Sequence, residues 1–226
     1  MARRLRPSLK HERLCLAPVA GVDEAGCAPL AGPVVAAAVI LPARGVPRGI
    51  DDSKKLPAAE RERLYHRLTA CAVVGVGVVE NDEIDRLNIY WARMRAMELA
   101  VAALAVAPAH VLVDGNRCPR WDRASTPIVG GDAVSLSIAA ASIVAKVTRD
   151  RIMADYAREY PGYGWETNKG YPTPEHQRAL DRLGPTPLHR RSFSRVKQLC
   201  LDLVAEPVPS SAPAEPPLSA ALPPVV

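Results

Sequence analysis

Four short apolar runs stand out from a mixed background: Leu16–Val22, Pro33–Leu41, Cys71–Val79 and His110–Gly115. Each is rich in Val, Ala or Leu and bounded by Gly, Pro or acids. Such runs read as strands buried on both faces, and strands covered on both sides require helices to cover them. Three stretches supply a helical period. Pro57–Ala70 sets Leu64 and Leu68 on one face behind a first-turn proline. Asp82–Val106 spaces Met94, Met97, Val101 and Leu104 helically and halts at Pro108. Ser137–Tyr156 is alanine-rich, then charged. Strands come first, helices then alternate with them, and helices dominate after residue 137. This order predicts an α/β fold: a mixed sheet flanked by helices, with a helical C-terminal segment. The Met and Ala stripes read as core packing.

Composition refines that picture. Apolar residues make up 48% of the 226, but aromatics only 4%, so Ala, Val, Leu and Ile must fill the core. One folded unit is expected over 16–204, preceded by a basic arm over 1–15. From residue 205 the chain holds seven prolines in 22 residues and no Lys or Arg. That segment, 205–226, buries too little to offset its ordering entropy and is predicted to be disordered. The formal charge of +5 favours a polyanionic partner such as nucleic acid. Five cysteines without a C-x-x-C pair fit a reducing, cytoplasmic setting rather than a disulfide framework. No run reaches the length of a membrane span, and the basic start lacks a signal-peptide pattern.

Four acids share one local character. Asp23 and Glu24 close the first apolar run, Asp114 closes the fourth, and Asp132 follows Gly130-Gly131. Acids at the carboxyl ends of strands collect along one edge of an α/β sheet, where such folds place ligands. Carboxylates gathered in low dielectric repel one another, and a hard divalent cation, Mg²⁺ or Mn²⁺, removes the conflict. Two such ions can activate a water and stabilise the leaving oxygen of a phosphodiester. Adjacent side chains on a regular strand point to opposite faces, so Asp23 and Glu24 are expected to share a site only if the strand ends or bulges between them. Basic and aromatic groups follow: Lys54 and Lys55, then Arg117, Arg120 and Arg123, then Lys146, Arg149 and Arg151, then Lys169 with Tyr171. Lys and Arg suit phosphates, and Tyr suits stacking.

With these residues in place, the chain strongly resembles bacterial ribonuclease HII from about Val19 to about Gln198. The motifs are "GVDEAG", "PLAGPVVAAAVIL", "DSKKL", "EIDRLNI", "VLVDGNRCP", "GGD", "AAASIVAKVTRDR", "KGYPT" and "HRRSF", in that order. The resemblance implies a ribonuclease H-like sheet and a metal-dependent endonuclease. Its substrate would be the RNA strand of an RNA–DNA hybrid, cut on the 5′ side of a ribonucleotide to leave a 3′-hydroxyl and a 5′-phosphate. It implies Asp23, Glu24, Asp114 and Asp132 as the catalytic, metal-binding quartet. It implies Tyr171 as the residue stacking beside the ribonucleotide, and Lys54, Lys55, Lys146 and Lys169 as substrate contacts. A monomer is implied as well. Relatives that dock a sliding clamp use a C-terminal motif with aromatics, and this tail has none.

One tripeptide departs from the family. Gly26-Cys27-Ala28 stands where relatives read Gly-Arg-Gly, beside the ribose 2′-hydroxyl and its phosphate. Losing the arginine removes a phosphate contact worth roughly 1.5–3 kcal/mol. If position 28 needs positive φ, alanine there costs about 1 kcal/mol. The expectation is therefore intact hydrolysis with altered selectivity for a single ribonucleotide. Cys27 lies beside acids and lacks a His partner, so it is not read as a nucleophile. Two other readings are weighed: a catalytically weakened hybrid-binding protein, and a different nuclease on the same fold.

Overall fold

The computed structural model describes residues 6–205. Five strands form one sheet in the order β3-β2-β1-β4-β5. They are β1 (Val19–Ala25), β2 (Val34–Ile40), β3 (Val73–Val79), β4 (His110–Asp114) and β5 (Ser125–Ile128). The first three pair antiparallel as a meander, while β4 lies parallel to β1 and β5 parallel to β4. The sheet is mixed, as the apolar pattern predicts. The short edge strand β5 was not among the predicted strands, because "STPI" is half exposed and has no apolar run to mark it.

Three strand boundaries differ from the apolar runs. The first apolar run begins at Leu16, but Leu16 is 77% exposed and β1 starts only at Val19. At its other end β1 continues through both acids to Ala25, paired in unbroken register with β2. Cys71 belongs to the end of helix α1 (Ala58–Cys71), not to β3.

Helices cover both faces. On one lie α2 (Asn81–Leu87) and α3 (Ile89–Ala102). Ala92, Ala96 and Ala100 form a row of small residues on α3, and a Cβ added at Gly77 would sit 2.1 Å from the Ala96 carbonyl oxygen. This close approach is how a core poor in aromatics fills its volume. The sequence predicts one helix over 82–106; the structure divides it at Asn88, whose φ is 65°. With ψ of 164° this lies outside the left-handed helical region that Asn commonly adopts, and its Oδ1 offsets the strain by accepting from the N–H groups of Tyr90 and Trp91, capping α3 afresh. Leu104 lies past the helix end.

On the other face, α1 and the long helix α4 (Leu136–Glu159) pack Leu64, Leu68, Ala140, Ile143 and Val144 against Ala37 and Val39. The start of α4 presses directly on β1, since a Cβ at Gly21 would lie 2.2 Å from the Ser137 carbonyl carbon. Residues 6–15 of the predicted arm pack over that helix start. Ser8 bridges Ser135, and one Glu12 oxygen accepts from the Ser135 hydroxyl (2.7 Å), the Ser137 hydroxyl (2.7 Å) and the Ser137 N–H (2.8 Å).

The C-terminal segment is helical: α5 (Trp165–Asn168), α6 (Pro174–Leu183) and α7 (Ser194–Ala205). They enclose a smaller core of Trp165, Tyr163, Leu180 and Val196 with Met153 of α4 and Leu30 of the loop after β1. Residues 1–5 of the basic arm and residues 206–226 of the proline-rich tail, for which disorder is predicted, lie outside the described residues. No described helix is long and apolar enough to cross a membrane.

Candidate active site

The four acids meet at one end of the sheet, for a topological reason. β4 pairs with β1 only through Val22↔Val113. One step further in that register sets Asp23 beside Asp114, where neither strand has a further partner on the shared edge. A tight turn over Gly131–Ala133 then brings up Asp132. The Gly131 N–H donates to Asp114 Oδ1 at 2.7 Å, which ties that turn to the strand end.

The expected break between Asp23 and Glu24 does not occur. Asp23 opposes Ala37 and Glu24 opposes Ala36 in regular register, so their side chains leave β1 on opposite faces. Both still border one cavity of about 230 Å³, because the sheet ends there and its two faces meet. Asp23 faces the α4 side and accepts from the Glu24 N–H at 2.7 Å. Glu24 faces α3, where its Oε1 lies 3.6 Å from Arg93 Nη1 and 3.6 Å from the Cys27 thiol. Its Oε2 is buried with no hydrogen-bond partner.

The electrostatics are those of crowded anions. Burial, then Glu24 and Asp114, hold Asp23 well above the usual carboxylate range. Burial also raises Glu24, against the pull of Arg93. Asp132 is raised by burial, then by Asp52 and Asp114. Lys54 sits among these charges, its Nζ 3.9 Å from Asp132 Oδ2. Burial lowers its pKa, but Asp132, Asp23, Asp52 and Asp114 more than reverse that, and the net direction is up. As folded, no three acidic, His or Cys side chains among the described residues already stand as a metal-ligand set; each carboxylate is engaged locally. The donors are nevertheless all carboxylate oxygens, with one buried oxygen unpartnered and the mutual repulsion unrelieved. They fit a hard divalent cation.

The remaining predicted substrate residues divide into two groups. Gly26, Cys27, Ala28, Lys54, Lys146 and Tyr171 border the same cavity as Asp23 and Glu24. Lys146 reaches it from α4, bonded to Asp150 at 2.7 Å and 5.9 Å from the Tyr171 ring centre. Lys55 and Lys169 are not brought there. The Lys55 ammonium lies between Asp51 (3.8 Å) and Asp52 (3.5 Å), and that of Lys169 donates to the Glu166 carbonyl at 2.7 Å.

The Gly26-Cys27-Ala28 turn also corrects one expectation. Gly26 has φ of 97°, and a Cβ on it would strike Arg149 Nε at 2.1 Å. Among described non-glycine residues, however, only Asn88 and Lys169 have positive φ. Ala28 is therefore unstrained, and its contribution is one exposed methyl on the cavity wall. The Cys27 thiol, buried beside Glu24, is pushed up to about 12, which rules it out as a nucleophile at neutral pH.

Two arginines beneath this turn carry much of the architecture. Arg149, read from the sequence as one of the basic groups suited to phosphates, is 1% exposed. It donates to Pro33 O (3.0 Å), Ala31 O (3.2 Å) and Lys169 O (3.0 Å), joining the loop after β1 to the turn that presents Tyr171. Arg190 is fully buried and donates to the carbonyls of Gly26 (2.6 Å), Cys27 (3.0 Å), Gly32 (2.8 Å) and Pro33 (3.2 Å). Burial, then the charge of Arg149, presses it down to about 9, still protonated at neutral pH. The Tyr171 carbonyl is held in turn by His176 Nδ1 at 2.9 Å. Arg93 and Ser142 also escape the sequence reading. Only "HRRSF" and "AAASIVAK" hinted at Arg190 and Ser142, and nothing marked Arg93 as the partner of Glu24.

Comparison with known proteins gives this arrangement a lineage. A family model for ribonuclease HII matches residues 20–196. The ribonuclease HII of Rhizorhabdus wittichii is 64% identical over 195 residues, covering 86% of this chain and 96% of its own. That of Novosphingobium aromaticivorans is 57% identical over 192 residues, covering 80% of this chain and 97% of its own. The crystal structure of ribonuclease H2 from Pyrococcus horikoshii OT3 superposes with a TM-score of 0.71 at 26% identity, over 83% of this chain and 99% of that one. The fold is thus ribonuclease H-like, and the protein is a nuclease. The chain belongs to the ribonuclease HII family.

Proposed function

We propose that the protein is an endonuclease that hydrolyses the RNA strand of RNA–DNA hybrids, including ribonucleotides embedded in DNA. Asp23, Glu24, Asp114 and Asp132 would hold Mg²⁺ or Mn²⁺, and the products would carry 3′-hydroxyl and 5′-phosphate ends. The observation that carries this reading is the gathering of four acids at one sheet end, with Glu24 Oε2 buried and unpartnered. When bound, a pair of divalent ions supplies an activated water and offsets charge on the leaving oxygen. The chain's own groups do the rest. Lys54, at the Asp132 side, faces a phosphate entering the site. Lys146 and Tyr171 form the opposite wall, a cation and a ring against phosphate and sugar. Arg190 draws the carbonyls of Gly26 and Cys27 inward, which leaves the outer edge of that turn to the substrate.

The test pairs a duplex carrying one ribonucleotide with a long hybrid, each with and without divalent metal. The wild-type chain is expected to cut the long hybrid readily, to prefer it over the single ribonucleotide, and to be silent in EDTA. Cys27→Arg with Ala28→Gly is expected to shift selectivity toward the single ribonucleotide by about tenfold or more. Undiminished cutting in EDTA refutes the metal assignment. Identical selectivity in both proteins refutes the role of the tripeptide.

A further inference from the structure

Beside the acids, between the start of α3 and the loop after β4, the surface opens into a groove of about 660 Å³. Tyr90, Trp91, Arg117, Cys118 and Arg120 line it. Tyr90 and Trp91 are each 37% exposed, in a chain with only three tryptophans and six tyrosines. They are nonetheless fixed in place. Asn88 Oδ1 accepts from both of their backbone N–H groups at 3.0 and 3.2 Å, and the rings meet edge to face with centroids 5.0 Å apart. The Arg120 guanidinium lies 4.7 Å over the Trp91 ring. Arg117, Arg120 and Arg123 are all exposed, and Asp122 is the only acid in that stretch.

Two short stretches of chain link this groove to the acid cluster. On α3, Trp91 is followed by Arg93, which pairs with Glu24 at 3.6 Å. On the loop, Arg117 follows Asp114 by three residues. A polyanion seated at the acids and continuing in this direction therefore meets arginines and aromatic faces, the pairing that suits a nucleic-acid strand.

We propose that this groove is a second nucleic-acid subsite, which takes the strand where it runs on from the scissile phosphate. The proposal rests on the function proposed above. Arg117 and Arg120, the latter stacked on Trp91, meet phosphates, and the exposed parts of Tyr90 and Trp91 meet sugars or exposed bases.

The experiment uses the full-length protein and three labelled duplexes. One is short around the ribonucleotide; the others extend it by about one helical turn on one side or the other. Binding is read by fluorescence anisotropy and cleavage on gels. The wild type is expected to bind one extended duplex more tightly than the short one. Trp91→Ala should remove about fivefold or more of that advantage. Arg117→Ala with Arg120→Ala should lower the slope of log K against log salt by about 2 on that duplex. Trp91→Leu, which keeps the apolar bulk, carries the same comparison if the alanine variant unfolds. Equal wild-type affinity for all three duplexes overturns the proposal, as do variants that lose the same factor on every duplex; the groove would then belong to a protein partner. Tight, length-dependent binding with no cleavage would instead end the hydrolysis reading and leave the subsite standing.

Discussion

Asp23 is asked to carry a charge that its surroundings resist. Its folded pKa is raised by burial, then by Glu24 and Asp114, so folding favours its protonated form. A raised pKa means stability that is present at low pH and lost as pH rises through the folded value. Asp23→Asn removes that loss. Without metal, the variant is expected to melt above the wild type at pH 8. The difference should close near pH 4, the ordinary carboxylate range. The same substitution is expected to lower cleavage by about a hundredfold or more in saturating metal. Thermal unfolding across pH and steady-state cleavage check the two halves, and a variant that is both less stable and fully active contradicts the assignment. Asp23, Glu24 and Asp114 were legible in the sequence as carboxylates that stop apolar runs, whereas Asp132 was marked only by the Gly130-Gly131 pair before it. Arg149 and Arg190 were not legible. A sequence displays a charge but not its partners, and these two are satisfied by backbone carbonyls, which leave no residue-type signature.

Among the elements, α4 links most of the site. Its first turn is fastened by Glu12, and its later turns present Ser142, Lys146 and Arg149. A carboxylate that accepts N–H and hydroxyl groups at a helix start also complements the helix dipole. Glu12→Ala is expected to cost about 1–2 kcal/mol in urea unfolding. Arg149 joins the loop after β1 to the turn that presents Tyr171. Arg149→Lys loses the planar fork and strands carbonyls, with an expected stability loss of about 2–3 kcal/mol. If Arg149 positions Tyr171, the lysine variant raises KM more than it lowers kcat, and that effect disappears in a Tyr171→Ala background. Equal effects in both backgrounds would reduce Arg149 to a purely structural role. Four of the five strands were legible from continuous apolar runs and the long helices from their apolar spacing, while β5 was not. The break at Asn88 was not, because apolar spacing runs on through it while one side-chain cap decides the backbone.

At the scale of the whole molecule, the C-terminal helices are built around a neutral histidine pair. The Trp165 indole N–H donates to His176 Nε2 at 3.0 Å, and His189 Nε2 lies 3.2 Å from the same atom. Burial, then His176, push His189 down to about 3, and burial also lowers His176. A depressed histidine pKa means the unfolded chain binds protons that the folded one refuses. Stability is then complete above the unfolded value of about 6.5 and drains as pH falls below it. As pH drops from 7 to 4.5, the wild-type melting temperature is expected to fall relative to that of His189→Gln. The sheet's mixed character and its helical C-terminus were foreseeable from element order. The pairing of the two histidines, with His176 bonded to the Tyr171 carbonyl, was not, because it joins residues that only the tertiary fold brings together.

The loop after β1 is closed by the opposite end of the fold. The Arg190 N–H donates to the Leu30 carbonyl, the Gly32 N–H to the Leu188 carbonyl, and Ala31 bridges His189. A polypeptide whose synthesis stopped before Leu188 would still hold all four acids and the Arg149 bonds to Ala31 and Pro33, but would lack every Arg190 bond to Gly26, Cys27, Leu30, Gly32 and Pro33. On the function proposed above, the order of synthesis would therefore place the proposed metal ligands ahead of the contacts that brace the turn proposed to set selectivity.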